Sequence, residues 1–86
     1  MKTTIEISNY PLTKDYESQI IDFIERIKAY KQIKISVKAT CTLITGEYET
    51  VFEIVQKEIK SSFEQYGKMI FVMKVLLGEL DITKDF

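Results

Sequence analysis

Two hydrophobic periods alternate along the chain. "TTIEIS" (residues 3–8) sets Ile5 and Ile7 against Thr4, Glu6 and Ser8, the two-residue repeat of a half-buried strand. Pro11 closes that strand, because a proline brings no N–H to a ladder. From Thr13, a natural N-cap, the repeat turns helical. Tyr16, Ile20, Phe23 or Ile24, and Ile27 form one stripe that is apolar until Lys31, with Asp22, Glu25, Arg26 and Lys28 on the other side. Asp15 and Glu17 in the first turn, with Lys28 and Lys31 in the last, suit the helix dipole.

"IKISVKA" (33–39) alternates again, Ile33, Ile35, Val37 and Ala39 opposing Lys34, Ser36 and Lys38. "CTLIT" (41–45) follows at once, so the two runs read as a tight hairpin or a bent pair of strands, with no Asn-Gly or Asp-Gly to define the corner. A second helix starts near Glu47, its stripe made of Tyr48, Val51, Phe52, Val55, Ile59, Ser62, Phe63 and Tyr66, with Gly67 as its C′ residue. "MIFVMKVLL" (69–77) has Lys74 as its one polar residue and reads as a strand covered on both sides.

The order β-α-β-β-α-β predicts one domain over residues 1–86. Its class is α+β, a ferredoxin-like two-layer sandwich with a four-stranded antiparallel sheet and two helices on one face. Ile70, Val72 and Leu76 lie opposite Phe71, Met73 and Val75, so the last strand is apolar on both sides. The helix-free face of the sheet therefore needs cover, from another subunit or a bound molecule. Glu6 and Lys74, on strands that neighbour each other in this fold, are expected to pair on that face.

Composition removes several function classes. Twelve basic against thirteen acidic residues leave a net charge of −1 and no basic stripe, so nucleic acid is not an expected partner. No apolar run reaches the ~18 residues of a membrane span, and "MKTTIEISNY" lacks the apolar core of a signal peptide. One cysteine makes no intrachain disulfide, and the expected location is cytoplasmic. The absence of histidine takes away the commonest general base and metal ligand. Neither catalysis nor a cofactor nor a metal is expected.

Cys41 has Lys38 as its nearest possible activator, and on spacing alone it is a small buried strand residue. In "GEYE" (46–49), Gly46 marks the strand-to-helix corner and Glu47 and Glu49 suit a helix N-terminus. "NYPL" (9–12) has neither the glycines nor the arginine of a phosphate cradle, which argues against an acylphosphatase-like reaction.

Taken together, "IEISNYPLTKDYESQIIDFIERI", "TGEYETVFEIVQKEIKSSFE" and "FVMKVLLGEL" resemble the YkoF-type thiamine- and hydroxymethylpyrimidine-binding proteins, over residues 5–80. The resemblance implies a ferredoxin-like domain that binds the aminopyrimidine part of thiamine without catalysis. It also implies association into a homodimer or homotetramer through sheet faces or edges. Ser8, Tyr10, Pro11 and Leu12 match the family's first motif, and Thr42, Gly46, Glu47 and Tyr48 its second. Lys38, Cys41 and Leu43 depart from the side-chain amides and serine of the family pattern, and an ammonium at Lys38 would repel the thiazolium cation. The implied ligand-binding set is Ser8, Tyr10, Lys38, Cys41, Thr42, Glu47 and Tyr48. Set against it are two other readings. One is an ACT-like oligomerisation module with another ligand or none; the other is an enzyme using Cys41 or a Glu/Lys pair.

Overall fold

Alternation along the first strand organises the whole sheet. The computed structural model describes residues 1–84, two fewer than the expected domain of 1–86. Its elements are β1 (Lys2–Pro11), α1 (Tyr16–Lys28), β2 (Lys34–Val37), β3 (Thr42–Glu47), α2 (Tyr48–Tyr66) and β4 (Met69–Leu77). The sheet order is β2-β3-β1-β4 with every neighbour antiparallel, which is the α+β ferredoxin-like arrangement. Ile5 and Ile7 point from β1 into the helix layer and meet Ile44 of β3, Phe23 and Ile27 of α1, and Val51, Ile54 and Val55 of α2. Each such side chain, removed from water, contributes on the order of 1.5–3 kcal/mol.

α1 departs from its expected boundaries, α2 keeps its own, and both helices differ from their expected faces. Thr13 is not the N-cap: α1 begins after Asp15, and the Thr13 hydroxyl instead accepts a hydrogen bond from Gln19 Nε2 at 2.8 Å. Lys31 lies beyond the helix, which ends at Lys28, so Arg26 and Lys28 are the cations of its last turn. Arg26 does not face solvent either. Its guanidinium enters the seam between the helices, reaching Asp22 Oδ2 (3.1 Å), Glu58 Oε1 (2.6 Å) and the Ser62 hydroxyl. Tyr30 completes the clamp by donating to Glu58 Oε2 at 2.6 Å. This pairing lets Glu58 be buried in the stripe of α2 beside Ile54, while Phe63 turns outward. The last turn of α2 closes on Gly67, whose φ of 87° is open to glycine and whose N–H bonds Phe63 O at 2.8 Å.

The β2–β3 connection is a tight hairpin, shorter in its strands than the alternation suggested. Pairing ends at Val37↔Thr42, and Lys38–Cys41 form a turn closed by Lys38 N–H to Cys41 O at 2.8 Å. β4 differs more. It is the sheet edge, and instead of being covered on both sides it leaves Ile70, Val72, Met73, Val75, Leu76 and Leu77 exposed. Phe71 alone of its large apolar residues packs against the core, its ring 5.1 Å from that of Phe23.

The helix-free face is only partly bare. At Gly78 (φ 124°) the chain leaves β4 and turns back over the sheet. Thr4 Oγ1 donates to Gly78 O (3.0 Å) and accepts from Leu80 N–H (3.2 Å), and Ile82 is buried at 5% exposure. Residues 79–84 thus strap the face over Thr4, Leu43 and Thr45, leaving the β4 side open. Glu6 and Lys74 face each other across β1 and β4 and form the expected ion pair at 3.5 Å.

Candidate functional site

Following β1 beyond the core, the inward row Ile5, Ile7 continues with Asn9. Here the two layers part. The start of α1 stands off from the end of β1, and the Lys38–Cys41 turn closes the third side. The result is a cavity of about 370 Å³, at the small end of the roughly 300–1,000 Å³ of ligand pockets. Tyr16, Ile20, Phe23 and Ile24 supply an apolar and aromatic wall from α1. Ile7, Asn9 and Pro11 border it from β1, and Lys38 through Thr42 from the hairpin.

Asn9 is the anomaly. Both amide atoms, Nδ2 and Oδ1, are shut off from solvent and neither has a hydrogen-bond partner. An amide in that condition costs about 1–3 kcal/mol relative to a satisfied one. Few natural side chains are left so, and each asks for a reason. Sequence reasoning passed over Asn9 as part of an ordinary loop. The signal was present: a donor–acceptor side chain continuing an isoleucine row at the two-residue step.

Five of the seven residues expected at a site border this cavity: Ser8, Tyr10, Lys38, Cys41 and Thr42. Ser8 Oγ donates to Thr40 O at 3.0 Å and so fastens the hairpin to β1. Thr42 is buried opposite Ile7. Cys41 is half-buried and precedes β3 rather than lying in it. Its thiol pKa is raised, first by burial and then by the nearby Glu6 carboxylate, against the lowering pull of Lys38 and Lys74. A thiol held protonated is a poor nucleophile.

Glu47 and Tyr48 are not brought to the cavity. A strand advances about 3.3 Å per residue, so the length of β3 carries them roughly 16 Å beyond Thr42. Glu47 pairs there with Lys2 Nζ (3.2 Å) and the N-terminal ammonium (3.3 Å), which hold its carboxyl below the usual range. The Tyr48 ring packs on Phe52 at 4.8 Å. Leu43 likewise faces away from the cavity, under the strap.

The chemistry on offer is recognition: one amide, a buried threonine hydroxyl and aromatic faces. Among the described residues there is no cluster of three or more His, Cys, Asp or Glu able to hold a metal, and no helix long and apolar enough to cross a membrane.

Comparison with known proteins gives a family and a fold. The family described as thiamine-binding protein matches residues 1–77. A proposed thiamine biosynthesis/salvage protein of Thermotoga maritima superposes with a TM-score of 0.79 at 21% identity, over 87% of this chain and 82% of that one. A hypothetical protein of Methanocaldococcus jannaschii gives 0.77 at 18% identity, over 91% and 81%. A domain of unknown function from Bacillus cereus gives 0.75 at 21%, over 91% and 77%. At these identities the solved structures establish the fold alone. No curated protein matches the chain significantly.

Proposed function

The chain belongs to the thiamine-binding protein family, and from that premise we propose that it binds hydroxymethylpyrimidine, the aminopyrimidine part of thiamine, in the β1–α1–hairpin cavity without transforming it. The unpartnered amide of Asn9 carries this reading. An aminopyrimidine presents a ring nitrogen acceptor beside an amino donor, the complement of a carboxamide. A turn about the Asn9 side-chain torsions presents both amide atoms to such a guest. The Thr42 hydroxyl is at hand for a second ring nitrogen, and Phe23, Tyr16 and Tyr10 offer faces on which the ring can lie. Glu47, which the resemblance implied among the ligand contacts, pairs instead with Lys2 and the N-terminus, and in this reading Asn9 meets the amino group. Calorimetric titration with hydroxymethylpyrimidine tests the reading: saturable heat at micromolar to low millimolar ligand supports it, and none at millimolar ligand overturns it.

The same reading includes self-association and a cytoplasmic place of action, the latter in keeping with a lone cysteine held as a thiol. β4 is an apolar edge whose single charge, Lys74, is tied to Glu6. Natural edges usually carry charges, prolines or bulges that block further pairing. A second copy, its β4 running antiparallel to the first, would extend the sheet and cover Val72, Val75 and Leu76. Light scattering at micromolar concentration should give at least the dimer mass, and Val75→Glu should lower it to the monomer. A monomeric wild-type chain at millimolar concentration refutes this part.

A further inference from the structure

No hydrogen bond in the protein decides which way round the Asn9 amide lies. A buried asparagine ordinarily has its sense set by its neighbours, a donor claiming the oxygen or an acceptor claiming the nitrogen. Asn9 has neither, since Nδ2 and Oδ1 are both without a partner. Its last torsion is broad and roughly two-fold, so the two arrangements are alike in shape and differ only in where donor and acceptor stand. Groups of fixed sense on the hairpin side are already engaged. Lys38 N–H donates to Cys41 O at 2.8 Å, and Thr40 O accepts from the Ser8 hydroxyl at 3.0 Å. Thr42, paired with Ile7 across the ladder, brings a hydroxyl that donates or accepts by rotation. The wall of Ile20, Phe23 and Ile24 meets the shape of a ring and makes no hydrogen bonds with its side chains.

We infer that this site reads a pyrimidine by its shape and by one adjacent donor–acceptor pair, whatever the order of the pair, so that it takes 4-oxopyrimidines as well as 4-aminopyrimidines. The inference rests on the aminopyrimidine reading of the cavity and widens its ligand class. In an aminopyrimidine a ring-nitrogen acceptor stands beside an amino donor; the Asn9 amide N–H meets the first and its C=O the second. In the oxo compound the ring nitrogen carries a proton and the carbonyl beside it accepts. A half-turn of the amide about its last torsion exchanges the two roles and makes both hydrogen bonds again. Lys38, a donor only, does not separate the two, because each ligand keeps an acceptor. A site built from fixed donors and acceptors rejects a mispaired analogue by roughly 10⁴-fold. An amide with no bond to the protein to break before it turns should hold the two ligands within about tenfold of each other.

The test is calorimetry on the full chain in mildly alkaline buffer, with hydroxymethylpyrimidine and its 4-oxo analogue, both uncharged there. The wild type should bind the two with affinities within about tenfold, and each should displace the other completely, as a single site requires. Asn9→Leu should weaken both by a similar factor, roughly 30-fold, and so keep their ratio. Circular dichroism and a melting curve should show that this variant is folded. A wild-type preference beyond about tenfold overturns the inference, because a fixed group then sets the sense of the amide; if the amino compound is the one preferred, the aminopyrimidine site stands. A loss confined to one ligand in Asn9→Leu also overturns it, since the other ligand is then read elsewhere. If neither ligand binds the wild type, the inference and the aminopyrimidine reading fall together.

Discussion

Replacing Asn9 by leucine should make the protein more stable and less able to bind. Leucine is close to asparagine in shape, and the row it would join, Ile5 and Ile7, is already apolar. Two amide atoms now lie out of water with no partner. Releasing them is worth about 1–3 kcal/mol, and burying an isobutyl group against Phe23 and Ile20 adds to that gain. Taking about 2 kcal/mol as the centre, a domain of this size should melt roughly 8–16 °C higher. The same substitution removes both polar contacts proposed for the ring. Leaving its nitrogen and amino group unpaired costs about 1 kcal/mol or more apiece, a loss of roughly 30-fold in affinity. Differential scanning calorimetry without ligand and isothermal titration with hydroxymethylpyrimidine read the two effects on one sample. A variant that melts lower than the wild type would show that Asn9 is satisfied in the native state. One that melts higher yet binds as before would show that the amide does not serve the ligand. Only the combination of gained stability and lost binding agrees with an amide kept for a guest.

Other parts of the fold make their own predictions. Glu58→Ala strands the Arg26 guanidinium in the interhelical seam and should cost about 2–4 kcal/mol in urea unfolding, somewhat under the figure for a fully buried pair because Arg26 keeps partial exposure; a loss under about 0.5 kcal/mol would mean that the clamp is incidental. The hydrogen bond to Glu58, followed by burial, raises the Tyr30 pKa above its ordinary value. The contribution of its protonated phenol is therefore complete below about pH 10 and falls as pH climbs through the raised value. Tyr30→Phe should flatten that alkaline decline, and an unchanged slope would assign it to other groups. Cys41 should react slowly with a thiol reagent at pH 7, and more slowly with the cavity filled by hydroxymethylpyrimidine; fast modification indifferent to ligand would place the thiol outside the site. Phe71 of the edge strand touches Phe23 of the cavity wall, so filling the cavity should tighten dimerisation, and Val75→Glu should weaken ligand binding by the same factor. Unequal factors would mean that the variant damages the site directly.

How much of this was legible beforehand depended on how far each signal is local. The strands and helices follow from period alone, because Ile5, Ile7 and Ile44 or Phe23 and Ile27 recur at the spacing that their element imposes. Arg26 was misplaced because a periodicity argument treats every charge as solvated, whereas Glu58 and Ser62, more than thirty residues away, satisfy it inside. Thr13 has the chemistry of a cap, but a cap is defined by where the chain turns, and Gln19 took its hydroxyl instead. Glu47 and Tyr48 share a short segment with Thr42, yet an extended strand turns five residues into the length of the sheet. The strap of residues 79–84 has no period to read: Ile82 is buried because Gly78 and Thr4 direct the chain back across the sheet.

β1 explains why a costly amide can persist in so small a domain. Its inward side chains run from core to site: Ile5 and Ile7 anchor both helices, and Asn9 opens the cavity. Its outward side chains hold three different segments in turn. Thr4 bonds the strap through Gly78 and Leu80, Glu6 pairs with Lys74 of β4, and Ser8 bonds the hairpin turn at Thr40. Each fastening acts on an element that either borders the cavity or lies beside one that does. A single unsatisfied polar side chain is tolerated where its surroundings are over-determined, and this strand is over-determined from both faces. Selection for stability alone would replace Asn9 with an aliphatic residue, since that change needs no other adjustment. An unpaired amide beside the cavity, between Ile7 and Pro11 in the inward row of β1, is therefore an argument from energetics, independent of any resemblance, that a guest with complementary hydrogen-bonding groups enters there.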